Sequence, residues 1–496
     1  MFKEIFKEIQ DHIIAEAEKH IARHHAYHNR LALEHLREKN RLVAAPGKTV
    51  HTPTSWGANR LFNPFYVKIH ARPIAFSIAS RITSGAYTPH NPFIRQIPKP
   101  SGGTRDVSTF QIPDAAVSLW AYENLMRKNR HRLSSFAYAY RNDRNAHYAV
   151  QDMYIDFKQR KRLFVAEYDF SKFFDSINHT YLLAQLDENG FLVSDIDLQI
   201  IKAFISKQEV GVPQGTSISL FLANVVCWWL DHELEHLGVK FARYADDTVI
   251  WGASYDSICR SYAVIEEFSK RSGVSINIGK SKGISLVTTE CNIAEFANPK
   301  EHVDFLGYKV SLTCSAIKDS SVAKIKKHIQ QLLYMSLVKP ITDHNWRSDR
   351  IIPHKNIDKD LGSVMHQIRR YLYGNLTEVT LKKFERGMIR KISFKGLMSY
   401  YPFVDDINQL KQLDSWLANA IFRFLHARTK LIHHAYSIPL KTFPWNVSPS
   451  DIVARFKHDY YLCIPSFLRI HNAIRLGMTH QGPFFKDSYL YTDTRA

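Results

Sequence analysis

Apolar residues Phe2, Ile5, Phe6, Ile9, Ile13 and Ile14 recur at helical spacing among Lys, Glu and His, and no Gly or Pro interrupts before Pro46-Gly47. That pattern predicts one or two amphipathic helices over residues 1 to about 43. A stretch from about Val43 to Asn63, rich in Pro, Gly, Thr and Ser, reads as a loop; a helix at about Pro64 to Ser84 and hairpin strands around Arg95 to Thr109 follow. Between Asp152 and Cys314, short apolar runs of strand character alternate with helical patterns at about Thr180 to Asn189, Ile218 to His236 and Tyr255 to Arg271. Such alternation predicts an α+β layer, one sheet covered by helices on one face. From about Ile317 strand signals fade, and helical periodicity marks about Val322 to Leu337, Lys355 to Tyr373, Val379 to Ile392 and Ile407 to Arg428. No internal repeat or low-complexity tract is evident.

Two of the strand-like runs end, or are interrupted, in acid. Asp169 lies in the stretch Val165 to Asn178 (VAEYDFSKFFDSIN), and Asp246-Asp247 lie in Arg243 to Ile250 (RYADDTVI), where Tyr244 to Asp247 reads as a hairpin tip. Each run can offer carboxylates at the rim of one sheet. Two facing carboxylate sources suit a pair of hard, oxygen-loving Mg2+ ions set about 3.5 to 4 Å apart, the arrangement that clamps an attacking hydroxyl and a leaving phosphate oxygen. Between them, Gly211-Val212-Pro213-Gln214-Gly215 forms a turn that opens a long apolar helix.

In this order the motifs resemble the reverse transcriptases. Asp169 with Phe174 five residues on, the PQG turn, YADD, Lys280 after a further helix and Phe305-Leu306-Gly307-Tyr308 follow that family's sequence. Ile97 to Pro100 with Arg105, and Tyr140-Arg141 with Asn145-Ala146-His147, resemble its earlier blocks. The likeness runs from about Phe65 to Tyr308 and, more weakly, to about Arg428. It implies a right-hand polymerase fold: an N-terminal helical extension (1–48), fingers (49–151), palm (152–315), an α-helical thumb (316–430) and a C-terminal extension (431–496). It implies that Asp169, Asp246, Asp247 and the Phe170 carbonyl hold two Mg2+ ions, and that Lys280 protonates departing pyrophosphate. Lys99 and Arg105 would grip the triphosphate, Arg141 would touch template or triphosphate with a structural ion pair as the equal alternative, and Gln214 would face template or nucleotide. Phe174 would exclude a ribose 2′-hydroxyl, and Phe305 to Tyr308 would grip the primer. Asp175 would assist packing or sugar contact.

The segment Ile218 to Asn224, the stretch Asn63 to Tyr87 and the helical C-terminal extension are most similar to the bacterial defence-associated (unknown-group) reverse transcriptases. That likeness implies cDNA synthesis with a dedicated noncoding RNA in antiphage defence. Synthesis without a template, or primed on a protein hydroxyl such as Tyr489 or Tyr491, and a catalytically silent RNA-binding scaffold are the alternatives. No homing-endonuclease, protease, integrase or RNase H pattern follows the thumb.

Charge and cysteine usage agree. Lys plus Arg number 66 against 47 Asp plus Glu, a net charge of +19, which favours a polyanionic partner, and 30 Phe, 24 Tyr and 8 Trp supply rings that can stack on bases. RNA, a DNA product and dNTPs are the expected partners, with the N-terminal helices or the C-terminal extension as candidate homo-oligomer contacts. The 5 cysteines show no C-x-x-C spacing, so neither a disulfide framework nor a zinc site is indicated. The N-terminus is charged every few residues, unlike a signal peptide, and the apolar stretch Ile218 to Leu230 is too short to span a bilayer. A cytoplasmic protein with no membrane contact is expected. His12, His20, His24, His25, His28 and His35 have no carboxylate or cysteine beside them at ligand spacing and read as solvated helix positions.

Overall fold

The N-terminal apolar pattern becomes one continuous helix, α1 (Phe2–Lys39), whose buried residues Ile5, Ile9, Ile13 and Ala17 fall four apart on a single stripe. The stripe packs beside α4 (Ile112–Asn129), where the Trp120 indole donates to Glu8 at 2.7 Å. The computed structural model describes residues 1–98, 102–281, 283–289, 299–342, 358–436, 448, 450–451 and 462–481. They fall into two compact units, one of residues 1–32, 49–149 and 160–300, the other of residues 33–48, 150–159 and 301–496. The five-part division drawn above is a functional one and remains a proposal.

In the first unit the helix expected at 64–84 is two, α2 (Pro64–Ile69) and α3 (Ala71–Thr83), because His70 leaves helical geometry and its ring nitrogen takes the Tyr66 carbonyl at 2.9 Å. β1 (Phe93–Pro98) and β2 (Thr104–Thr109) form an antiparallel hairpin. After α5 (Ala146–Lys158), strand β3 (Arg162–Ser171) enters the main sheet, followed by the short α6 (Phe173–Ser176), α7 (His179–Glu188) and α8 (Asp195–Ile205). The apolar helix after the PQG turn is also split, into α9 (Ser217–Val226) and α10 (Trp228–His236), by a tight turn at the buried Cys227. Strands β4 (Lys240–Tyr244) and β5 (Asp247–Gly252), helix α11 (Tyr255–Ser272) and strands β6 (Ser275–Ile276), β7 (Gly283–Thr288) and β8 (Pro299–Lys300) complete the unit. The sheet order is β4-β5-β3-β7-β8, with β6 paired to the end of β3. Ala166, Tyr168 and Phe170 of β3, Phe241 of β4 and Ile250 of β5 share one core with Ile258, Ile265 and Phe268 of α11 and with Leu230 and Leu234 of α10. The expected α+β layer is present, and β3 is its central strand.

The second unit carries a small antiparallel sheet of β9 (His302–Phe305), β10 (Tyr308–Ser311) and β11 (Ser315–Ile317). Leu306 and Gly307 both take positive φ, as a two-residue type I′ hairpin requires. Helices α12 (Asp319–Leu333), α13 (Lys359–Tyr373), α14 (Glu378–Glu385), α15 (Ile407–Tyr436) and α16 (Phe467–Gln481) follow. Two sequence expectations shift: α14 stops at Glu385, not near Ile392, and α15 runs past Arg428 to Tyr436. Arg428 is fully buried and is held by Asp358, Asp360 and the Leu337 carbonyl. Among the described residues no helix is long and apolar enough to cross a membrane.

Candidate active site

Along β3 the residues of even number face the helices, so Glu167 and Asp169 look to the opposite face of the sheet. The register pairs Asp169 with Asp247 across β3 and β5, and Tyr244 with Asp247 across β4 and β5. The two-residue turn Ala245-Asp246 joins β4 to β5, with Ala245 at φ 60, the left-handed first position that a type II′ hairpin turn demands. Strand pairing and this turn therefore bring three carboxylates to one end of the sheet from residues distant in sequence.

Their surroundings are polar and mixed in charge. Asp169 accepts from the Asn277 amide at 2.8 Å and from the Lys280 ammonium at 3.1 and 2.9 Å, one contact on each oxygen for Lys280. Lys280 sits in the turn after β6, where its N–H and that of Ser281 both bond the Asn277 carbonyl, and Asn277 N–H in turn bonds the Asp169 carbonyl at 2.8 Å. The Asp169 side chain is 15% exposed and that of Lys280 65%. The bond to Asp169 raises the Lys280 pKa, and the charges of Asp246 and Asp247 push it the same way. Burial raises the Asp246 carboxyl, the charge of Asp169 adds to this, and Arg105 and Lys280 pull it down. Asp169, Asp246, Asp247, Lys280 and Arg105 thus form one electrostatic cluster.

Among the described residues no three acidic, His or Cys side chains already converge as a finished metal cage. The donor set still fits hard divalent cations: a carboxylate whose two oxygens are already on a cationic ammonium, and a second carboxylate that burial, and then the charge of the first, raises in pKa. Asp169, Asp246 and Asp247, with the carbonyl of Phe170, are the groups that would hold such ions.

The hairpin is fixed from behind by a buried ion pair. Arg243, 1% exposed, donates to Asp231 at 2.7 and 2.6 Å and to Asn224 at 3.2 Å, while Asn224 donates to the Ala139 carbonyl at 3.1 Å. The facing Asp231 holds the Arg243 guanidinium charged against the cost of burial. Phe136 and Tyr138 bond Arg243 through their backbones, so the 136–138 segment extends the sheet beyond β4. Sequence reasoning passed over Arg243, Asp231 and Asn224. The available signal was a charge or amide set inside each of three apolar runs.

Phe174 lies on α6, half-buried, its ring 5.4 Å from Phe173 and 6.2 Å from Tyr140. Gln214 donates to the exposed Asp175 at 2.8 Å. Arg105 is exposed on β2. Arg141 stands apart from all of these: it is buried, its guanidinium is spent on the carbonyls of Ser134 and Ala137 and on Asp143 at 3.0 and 2.8 Å, and it braces its own loop. Of the two roles expected of Arg141, the structure favours the structural ion pair, made with Asp143. Lys99, Tyr489 and Tyr491 lie outside the described residues.

Residues 97–310 match the family model described as reverse transcriptase (RNA-dependent DNA polymerase). Protein YkfC of Escherichia coli (strain K12) is 25% identical over 251 residues, which are 47% of this chain and 62% of that protein, so the chain spans less than two thirds of this curated relative. Solved structures of telomerase in complex with a fragment of telomeric RNA superpose loosely. The Candida tropicalis protein gives a TM-score of 0.39 at 12% identity over 81% of this chain and 76% of its own. That of Candida albicans gives 0.35 at 11% identity over 79% and 75%. With the motif order on the sheet as described and the family model covering it, residues 97–310 form a reverse transcriptase (RNA-dependent DNA polymerase) domain.

Proposed function

We propose that the protein copies RNA into DNA by metal-assisted nucleotidyl transfer at the cluster of Asp169, Asp246 and Asp247. The observation that carries this reading is the strand register, which sets Asp169 directly across from Asp247 and leaves Asp246 in the adjoining turn. Bound divalent ions supply the activation of a 3′-hydroxyl and the neutralisation of charge on the leaving phosphate. The chain supplies position and charge: the three carboxylates as ligands, Arg105 as a grip for the triphosphate, and Phe174 as a wall beside the sugar. Lys280 has three ammonium donors and is largely exposed beside Asp169, so one can turn to a phosphate, and in the working enzyme it is assigned to the departing pyrophosphate as proton donor.

The motif likeness described above supports the finer reading of a noncoding-RNA partner and a role in antiphage defence, and the net charge of +19 supports a polyanion as partner. The reading is tested with Mg2+, a primed RNA, and dNTPs or NTPs supplied separately. DNA synthesis from dNTPs is expected; extension by NTPs alone overturns the deoxynucleotide assignment, and no extension by either overturns the polymerase. Sequencing the nucleic acid that copurifies with the protein, and counting phage plaques on cells carrying it or its Asp246→Asn/Asp247→Asn form, test the finer reading.

A further inference from the structure

The PQG turn is laid against two other segments at once. On one side Val212 N–H donates to the Phe174 carbonyl at 2.7 Å and Gly211 N–H to the Ile177 carbonyl at 2.8 Å, while the His179 ring nitrogen lies 2.6 Å from the Gly211 carbonyl. Gly211 has φ +86, and a Cβ there would meet the Asp175 carbonyl oxygen at 2.7 Å, so only glycine lets the two backbones approach this closely. On the other side Ser108 N–H of β2 donates to the Gln214 carbonyl at 2.9 Å, and a Cβ on Gly215 would lie 2.6 Å from the Ser108 oxygen. The turn is thus a joint between the β1–β2 hairpin and the segment that carries Phe174.

One side-chain bond spans the top of this joint: the Gln214 amide donates to Asp175 Oδ1 at 2.8 Å. A carboxylate accepts and does not donate, so Gln214 must turn its NH2 toward Asp175. Its Oε1 is then turned away from Asp175 and is the acceptor that the amide keeps, beside the second hydrogen of its NH2.

We propose that Asp175 is a positioning residue for the incoming nucleotide, fixing the sense of the Gln214 amide so that a hydrogen-bond donor of the nucleotide meets an oxygen next to the Phe174 ring. This rests on the polymerase reading. Neither residue forms the core, since Asp175 is exposed and Gln214 half-buried, so their effect is on binding geometry and not on folding.

The test is single-nucleotide insertion on primed RNA with a titration of the matching dNTP, alongside thermal melting of each variant. Asp175→Ala frees the amide and is expected to raise KM about tenfold, the size of one charge-assisted hydrogen bond, with kcat and melting temperature little changed. Asp175→Asn keeps an acceptor and is expected close to wild type. Gln214→Glu sets two carboxylates face to face and should raise KM further. Combining it with Asp175→Asn reverses the direction of donation, leaves an oxygen presented as before, and should recover most of the loss. A double variant no better than Gln214→Glu, or an Asp175→Ala protein with wild-type KM, overturns the positioning role while leaving the polymerase intact. A wild-type protein that inserts nothing removes the polymerase reading, and this assignment with it.

Discussion

Acidic side chains around the hairpin divide into those that hold the fold and those that burden it, and substitution should separate the two. Asp231 is 2% exposed and faces the fully buried Arg243 through two bonds of 2.7 and 2.6 Å. Replacing Asp231 with Ala leaves a guanidinium buried with only an amide oxygen and a distant carbonyl. Breaking a buried pair by removing one partner costs about 3–5 kcal/mol, and at roughly 2–4 °C per kcal/mol the first unit should melt some 6–20 °C earlier. Asp246 and Asp247 are different: they crowd a third carboxylate, and burial together with the charge of Asp169 raises the Asp246 carboxyl against the pull of Arg105 and Lys280. Asp246→Asn combined with Asp247→Asn should therefore leave the melting temperature unchanged or raised in metal-free buffer, while abolishing nucleotide addition. Differential scanning calorimetry with EDTA present, followed by primer extension with Mg2+, reads both properties on the same preparations. An Asp231→Ala protein melting within about 2 °C of wild type would refute the anchoring argument. A hairpin variant that loses solubility would show that those carboxylates are structural.

Phe174→Ala removes the ring that packs on Phe173 and Tyr140. Ribonucleotide insertion is expected to rise relative to deoxynucleotide insertion, measured as the ratio of kcat/KM values, and an unchanged ratio would exclude the ring from sugar selection. Gly215→Ala would force a Cβ to 2.6 Å from the Ser108 oxygen at φ +105, so a loss of more than about 1 kcal/mol is expected in urea unfolding, with wild-type stability ruling out the close approach. Burial pushes the His147 imidazole down to about 4 from 6.5, so the fold holds it neutral and the unfolded chain takes up its proton first. The stability it contributes is full above pH 6.5 and is lost as pH falls toward 4, by up to about 3 kcal/mol. A His147→Leu protein should show a flatter melting-temperature profile across that window, and parallel profiles would contradict the assignment.

A charge inside an apolar run announces that something must pair with it; what pairs it is a tertiary fact. Asp169, Asp246 and Asp247 stood out in the chain for this reason, and strand register shows them gathered at one end of the sheet. Arg243 lies in the same kind of run, yet its partner Asp231 comes from a helix 12 residues earlier, and only the packing of α10 beside β4 reveals that the two cancel in the interior. Arg141 shows an ambiguity that only packing resolves. Motif order left a substrate contact and a structural ion pair equally open, and the loop of residues 133–143 folds back and offers carbonyls and a carboxylate enough to occupy the guanidinium. Helix α4 went unread because Ile112, Ala116, Val117, Trp120, Tyr122 and Leu125 bury more than one face, which erases the stripe that marks α1. The PQG joint was half visible: glycines at 211 and 215 signal close backbone approach, but which backbone approaches is set by β2 and α6, elements separated by some sixty residues of intervening chain. Chemistry-bearing residues and the groups that hold them in place both break the local pattern, and what separates the two is the pairing, which only tertiary packing shows.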